Sequence, residues 1–500
     1  RVNVCVHNAG DVEKTVALKL TVTDYFDRVV AGKELRLNLA PHATAERTED
    51  VLPKSRGFFK VRATLDGNEL RRNLRVAVIP KYTRTDSVIG INHAYGCDAL
   101  VKACVDAGIL WDRDWSFKWE DVERERGTFD FTEIDPQVDR ERRLGHVVLG
   151  LVPFPSANWS SSAPASVNPK REAGNRDREA WKPRDPAEFA SFVSRTVAHF
   201  RGRVRWWQVF NEPLYTSYAL PRRSGDHTVE DYLALVETFH KAARAADPNC
   251  LILAGPGGFA VGTDSDLDRM LKLGLLKWCD ALDLHTYPRW KPPEAMEKIL
   301  VRVGEMMDAA GGRKPVWLTE HGYYAEDDPV VIPPTLEDFC NPLPTERMQA
   351  EYAVRFNLIL LRHGVRKIFY HAGTTGGLNR DNIQGVFFRY EGEPRKIYVV
   401  IAAFTELFGP DVQFVGELPA GKDARAFLFR DGRRLVLAAW QPRDGQPAKL
   451  RVTDGRIRLR DVVGNDLAAR EAPLGPAPVY AVADGLSPED FEKAVRIIQE

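Results

Sequence analysis

The chain opens with short runs in which apolar and polar residues alternate: Val2–His7, Thr15–Thr23, Glu34–Leu39, Gly57–Thr64 and Leu74–Ile79. Successive side chains of a strand point to opposite faces, so a period of two marks half-buried β-strands. The turn-forming stretches Asn8–Gly10 and Asp66–Asn68 fall between runs. A strand about every ten residues predicts an antiparallel β-sandwich, here over residues 1–82.

From Ser87 the rhythm changes: short apolar runs alternate with segments whose apolar positions recur every three or four residues, which is strand followed by helix. The expected strands are 88–92, 109–113, 146–152, 204–210, 251–254, 281–285, 316–319 and 367–370. The expected helices are 97–108, 133–144, 186–200, 229–246, 265–278, 293–310, 346–363 and 397–408. Eight such units between residues 83 and 410 predict an α/β fold, a (β/α)8 TIM barrel. That fold carries its functional side chains at the C-terminal ends of the strands. A doubly wound open sheet ranks second, because no Gly-rich turn follows the first strand. Gly255-Pro-Gly-Gly258 follows the fifth strand with the wrong spacing for a dinucleotide fingerprint, which leaves a phosphate cradle as a minor alternative.

Beyond Pro410 the alternation returns in Ala424–Phe429, Arg433–Trp440, Ala448–Val452, Ile457–Asp461 and Val479–Val482, with Asp431-Gly432 as a hairpin turn. A small C-terminal β domain is expected over 411–485. An amphipathic helix is expected over 486–500, with Ser487 as N-cap and Pro488 in its first turn, read as a linker to further sequence.

Composition narrows the function. Lys plus Arg and Asp plus Glu both number 70, so the formal charge is zero and nothing favours nucleic acid or an anionic surface as partner. No run of about 18 apolar residues is present, so no membrane insertion is expected. The chain opens on Arg1 without a leader-like segment. The six cysteines lack the close pairing of zinc or redox motifs, and buried free thiols are expected.

The chemistry concentrates at two strand ends. Val204–Pro213 is an apolar, aromatic run stopped by Pro213, so Asn211 and Glu212 emerge at a C-terminal lip; Pro315–Gly322 repeats the pattern with Glu320. The separation accommodates about three βα units of ~30 residues. Cleavage of a glycosidic bond needs one carboxylic acid to protonate the leaving oxygen and a second carboxylate as nucleophile or base. Glu212, emerging from Trp206, Trp207 and Phe210, suits the acid/base, and Glu320 suits the nucleophile if Arg113 and Tyr287 hold it ionised. A G-x-S-x-G elbow is absent, and His321 beside Glu320 has no second ligand at metal spacing, so no cofactor and no metal are expected.

These residues resemble a known group. Phe210-Asn-Glu-Pro213 and Trp317-Leu-Thr-Glu-His-Gly322 are similar to the acid/base and nucleophile motifs of clan A glycoside hydrolases, and Asp283–Pro288 to the clan's strand-six segment. Trp115–Trp119, Val122–Phe131 and Ile134-Asp135 are similar to the segment after strand two in families 39, 5 and 42. The resemblance covers residues 88–410 and implies a TIM barrel and a retaining O-glycosyl hydrolase acting on β-linked glycosides or polysaccharides. It further implies that Arg113 hydrogen-bonds the nucleophile, that Asn211 meets the sugar 2-hydroxyl, and that His285 and Tyr287 flank Glu320. Where many clan members carry a strand-eight Trp as sugar platform, this chain reads Ile368-Phe-Tyr-His-Ala372, so Tyr370 or His371 is expected to replace it. Asn92 and Trp115 complete the expected substrate contacts. The N-terminal unit looks immunoglobulin-like and carries no chemistry. A carbohydrate substrate and a secreted or periplasmic location are expected, with oligomeric state open. A non-catalytic carbohydrate-binding protein and a transglycosylase are the alternatives.

Overall fold

The computed structural model describes residues 1–70, 73–94, 96–167, 178–326, 343–372, 385–389, 392–442 and 445–499. Its centre is a closed barrel of eight parallel strands: β1 (Ile89–Asn92), β2 (Ile109–Asp114), β3 (Val147–Val152), β4 (Trp206–Val209), β5 (Leu251–Gly258), β6 (Ala281–Thr286), β7 (Val316–His321) and β8 (Val365–Tyr370). Helices α1 (Asp98–Asp106), α2 (Asp135–Leu144), α3 (Pro186–His199), α4 (Val229–Ala246), α5 (Asp266–Lys272), α6 (Glu297–Ala309), α7 (Glu346–Arg362) and α8 (Lys396–Leu407) follow the strands in turn. Several begin at side-chain caps: Asp185 accepts from the Ala187 amide, and Thr228 with Asp231 forms a capping box.

The barrel interior has two levels. At the N-terminal end Trp111, Leu149, Leu253, Ala281, Trp317 and Phe369 form an apolar plug, with the Trp206 and Trp317 rings 4.4 Å apart. Above it the inward side chains turn polar: Asn92, Arg113, Gln208, Asp283 and Thr319, all buried. A buried polar layer is tolerated only when its groups satisfy one another. This layer is the base on which the site is built.

The flanking units each have two antiparallel sheets around a shared core. In the N-terminal unit Val2–His7 pairs with Thr44–Glu49, and Lys14–Thr23 pairs with both Val29–Leu39 and Gly57–Leu65. Val6, Leu18, Leu37 and Phe59 pack between the sheets. The polar strand Thr44–Glu49 escapes sequence patterning because backbone pairing, not apolar burial, holds it. At the other end a six-stranded and a three-stranded sheet enclose Leu428, Leu437, Leu450 and Phe491.

One expectation fails there. The helix expected over 486–500 spans only Pro488–Ala494, and Val495–Gln499 pairs antiparallel with Ala448–Val452. The β-branched Val495, Ile497 and Ile498 favour an extended chain, and a free sheet edge accepts it. The segment closes the C-terminal core as a strand.

Helices α7 and α8 are buried on nearly every side, because the flanking units cover the faces that the barrel leaves exposed. Arg75 of the N-terminal unit meets Glu346 at 2.8 Å, with both side chains almost wholly buried. Burial alone would raise the Glu346 carboxyl, but Arg395 and Arg75 hold it below the usual range. Arg355 reaches the Pro476 carbonyl at 3.1 Å, and Arg56 ties both Glu406 and Gly464.

Cys5 and Cys97 are exposed rather than buried; Cys104, Cys250 and Cys279 are buried, and all five are free. Cys340 lies outside the described residues.

Candidate active site

Arg113 stands at the centre of the polar layer, fully buried at the top of β2. Its Nε donates to Gln208 at 2.7 Å, Nη2 to Asn211 at 2.7 Å, and Nη1 to Asn92 at 2.9 Å and Glu320 at 3.0 Å. A planar guanidinium can serve four acceptors on three strand ends at once; an ammonium cannot. Below it Gln208 donates to Asp283 at 2.8 Å, Thr319 donates its hydroxyl to Asp283, and Asn92 donates to the Thr319 carbonyl at 3.0 Å. Gln208 and Thr319 were not singled out from sequence; their inward positions on β4 and β7, below each glutamate, were the available signal.

Glu320 owes its direction to an irregularity in β7. Trp317 and Thr319 both point inward, and strict alternation would turn Glu320 outward, but the register shifts between Leu318 and His321 against β8. Such irregularities re-aim side chains beside functional sites. The carboxylate therefore accepts from Arg113 and from the Tyr287 hydroxyl. Burial would raise its pKa, but His285, His371, Arg113 and the Tyr287 hydrogen bond together hold it at about 2. A group so held is an anion at every ordinary pH.

Glu212 faces it across His285. His285 Nδ1 lies 3.0 Å from Glu212 Oε1 and 3.7 Å from Glu320 Oε2. Glu212 and Glu320 each bring an oxygen to within 4.8 Å of the other and of that nitrogen. Burial opposes a charge on His285, yet Glu320, Glu212 and Asp283 outweigh it and raise its pKa above the usual value. These three residues could offer ligands to a cation, but the Arg113 guanidinium on Glu320 puts a fixed positive charge beside that position, which disfavours a metal.

The surroundings of Glu212 differ from expectation. Trp206 sits in the plug at the far end of the barrel, Trp207 packs outward on Phe117, and Phe210 packs on Phe189. Glu212 instead meets His285 and Gly257. Phe210, Glu212 and Leu214 all have left-handed backbone, with φ of 63°, 47° and 76°. Conformations of this kind cost about 1–3 kcal/mol each and survive only where the surroundings enforce them. The Thr216 hydroxyl on the Glu212 carbonyl at 2.7 Å and the Leu214 amide on the Ala219 carbonyl at 2.9 Å supply that enforcement.

An aromatic collar rims the carboxylates. His371 lies 5.4 Å from His93 and 6.2 Å from Tyr287, and Trp115 lies 5.7 Å from both His93 and Tyr218. Burial pushes His93 down to about 3 and lowers His371 from its ordinary value. Tyr218, and Phe154 with its ring 6.4 Å from Trp115, were missed by sequence reading.

Two expected contacts are corrected. Tyr370 points outward: its ring lies 4.2 Å from His321 and its hydroxyl donates to Asn357 of α7 at 3.0 Å. Strand alternation sends Phe369 and His371 inward and Tyr370 between them outward. Asn92 is fully buried beneath the site and holds Arg113 and the Thr319 carbonyl, so it orients other residues and does not reach a substrate. Among the loop tryptophans, Trp119 is core, stacked on Phe192 at 5.3 Å; Trp159 is tied to the Glu123 carbonyl, Trp181 packs on His227, and Trp290 is 61% exposed.

The phosphate cradle also fails. Gly255 approaches the Asp283 backbone, Gly257 abuts Glu212, and the Gly258 amide donates to Tyr215 at 2.7 Å.

Comparison with known proteins adds a family match over part of the chain and a likeness of fold over most of it. Residues 113–254 match the model of glycosyl hydrolase family 10, a stretch that contains Arg113, Asn211 and Glu212 and ends before His285 and Glu320. An endo-1,4-beta-xylanase of Agaricus bisporus is 30% identical over 134 residues, which is 27% of this chain and 36% of that protein. Endo-1,4-beta-xylanase 5 of Pyricularia oryzae is 32% identical over 135 residues, 27% of this chain and 30% of that one. The chain thus spans about a third of the length of these curated relatives. Among solved structures, a family 39 glycoside hydrolase from the gut symbiont Bacteroides cellulosilyticus WH2 superposes with a TM-score of 0.68 at 18% identity, over 96% of each chain. A GH30 endoxylanase from Clostridium papyrosolvens C71 gives 0.53 at 15% identity, over 81% of this chain and 98% of that one. The chain resembles clan A glycoside hydrolases in both sequence and fold.

Proposed function

We propose that this protein is a retaining glycoside hydrolase acting on β-linked sugars, with Glu320 as nucleophile and Glu212 as acid/base. The carrying observation is the approach of the two carboxylates across His285, one of them held ionised by Arg113 and Tyr287. Retaining enzymes set their carboxyls about 5–5.5 Å apart, close enough for direct attack on the anomeric carbon. Glu212 would donate its proton to the leaving oxygen as Glu320 forms the glycosyl ester. It would then take a proton from the water that cleaves the ester, returning both glutamates to their starting states.

Asn211, held through its carbonyl by Arg113, would turn its NH2 to the sugar 2-hydroxyl; Trp115, His371 and Tyr287 would enclose the ring. His371 would serve as the platform at the strand-eight position. The flanking units, the first read as an immunoglobulin-like sandwich over 1–82 and the second as a β domain from 411, would act as accessory modules. An exported location is proposed, and among the described residues no helix is long and apolar enough to cross a membrane.

The test is hydrolysis of β-1,4-xylan, β-glucans and aryl β-glycosides by the wild type and Glu320→Ala, with azide added. Loss of activity in the variant, with azide restoring it as the inverted glycosyl azide, is expected. Equal activity in both proteins would overturn the assignment.

A further inference from the structure

Resting on that reading, we propose that Asp283 is a positioning residue for the nucleophile, acting through Gln208 on Arg113 and so on Glu320. Arg113 has only hydrogens to give and the Asp283 carboxylate only lone pairs to offer, so the amide between them has one orientation that satisfies both. The Gln208 carbonyl faces Arg113 Nε at 2.7 Å, and its NH2 faces Asp283 Oδ2 at 2.8 Å. Asp283 Oδ1 takes the Thr319 hydroxyl, whose oxygen also lies 3.5 Å from the Gln208 nitrogen. His285 Nε2 is 4.0 Å from that same Oδ1, beyond hydrogen-bond reach, so Asp283 meets the site through Gln208 and Thr319. Arg113, Gln208, Asp283 and Thr319 are all buried, and an amide turned the wrong way would leave a buried donor or acceptor unmet.

The direction of that bond passes up the barrel. With Nε held, the guanidinium plane is set, and its Nη atoms reach Glu320 at 3.0 Å, Asn92 at 2.9 Å and Asn211 at 2.7 Å. Turning Gln208 over would put its NH2 against Nε, donor against donor, and move the fork off Glu320. The Glu320 carboxylate is faced by Arg113 from β2, by His285 and Tyr287 at the end of β6, by His93 and His371 beyond β1 and β8, and by Glu212 across the site. Among these groups the guanidinium carries a charge fixed at every working pH, so loosening it should ease protonation of Glu320.

The experiment exchanges donor and acceptor. Asp283→Asn sets an amide against Gln208, and Gln208→Glu sets a carboxylate against Asp283. The double variant keeps the wild-type net charge and again gives each donor an acceptor, with the new carboxylate between Arg113 and the new amide. Each single variant is expected to lose at least about 100-fold in kcat/KM on the active glycoside, with the acid limb of its pH profile moved to higher pH. The double variant should recover at least about 10-fold over the weaker single one and bring the limb back. Losses that multiply in the double variant, or single variants with the wild-type limb, would overturn the proposal, since a packing role alone lowers the melting temperature and leaves the limb in place. Two readouts need no activity: melting temperatures, expected to be higher in the double variant than in either single one, and the Glu320 carboxyl titration by carbon NMR, assigned with Glu320→Gln, expected to rise in the single variants and return in the double. A wild type that cleaves nothing refutes the hydrolase reading while these two still decide Asp283; a titration unmoved in the single variants refutes its role whatever the activity.

Discussion

Arg113 and Glu320 meet at 3.0 Å across the barrel, β2 to β7, with the guanidinium wholly buried. A buried carboxylate needs a compensating cation, and Arg113 adds three further strand-end acceptors to that duty. It therefore organises the site as well as charging it.

The first prediction concerns that fork. Arg113→Lys keeps the charge but cannot reach Gln208, Asn92, Asn211 and Glu320 together. Its kcat should fall at least about 100-fold, the loss typical of one misplaced electrostatic group. Arg113→Met should fall further and lower the melting temperature. Steady-state kinetics and thermal unfolding check both. A Lys variant with wild-type kcat would show that charge alone suffices.

His371 and Tyr370 form a contrasting pair. His371→Ala removes a ring from the collar and should raise KM about 3- to 10-fold, the scale of a lost aromatic contact. Tyr370→Phe loses only the hydrogen bond to Asn357 and should cost about 1 kcal/mol of stability with KM unchanged.

Acid stability should depend on His321. Burial between Tyr370 and Phe356 lowers its pKa to about 3. The unfolded chain therefore takes up a proton below the ordinary histidine value of about 6.5, while the folded state takes it up only near 3. Its contribution is complete above about 6.5 and lost progressively as pH falls, at up to about 1.4 kcal/mol per pH unit. His93 adds a slope of the same sign. His321→Leu should flatten the fall in unfolding free energy between these limits, measured by denaturant titration at a series of pH values. An unchanged slope would refute it.

The N-terminal unit should be locked to the barrel by Arg75 and Glu346. Arg75→Ala removes one of the two guanidiniums on the buried Glu346, Arg395 remaining at 3.0 Å, and should cost about 1.5–3 kcal/mol. Hydrogen exchange should rise in the first strands while kcat of the folded protein is retained. Loss of kcat in a fully folded Arg75→Ala protein would argue against a purely structural contact.

Much of this was legible in the chain. Apolar periodicity marked all eight strand and helix pairs of the barrel, since each barrel strand is buried on both faces and the first six helices on one. Glu212 and Glu320 stood out because a charged residue ending an apolar run has few structural reasons to be there. The strands Thr44–Glu49 and Gln413–Glu417 did not stand out, because backbone pairing leaves no apolar trace.

The amino-acid sequence by itself determined the barrel, its lip and the two acids, because local periodicity and chain order decide which residues reach the C-terminal ends of the strands. Tertiary structure alone decided which of those residues face one another. Asn92 became a support, Tyr370 turned outward, and Gly257 closed on Glu212. Those outcomes depend on register shifts, left-handed turns and contacts between distant segments, and such non-local geometry leaves no pattern along the chain.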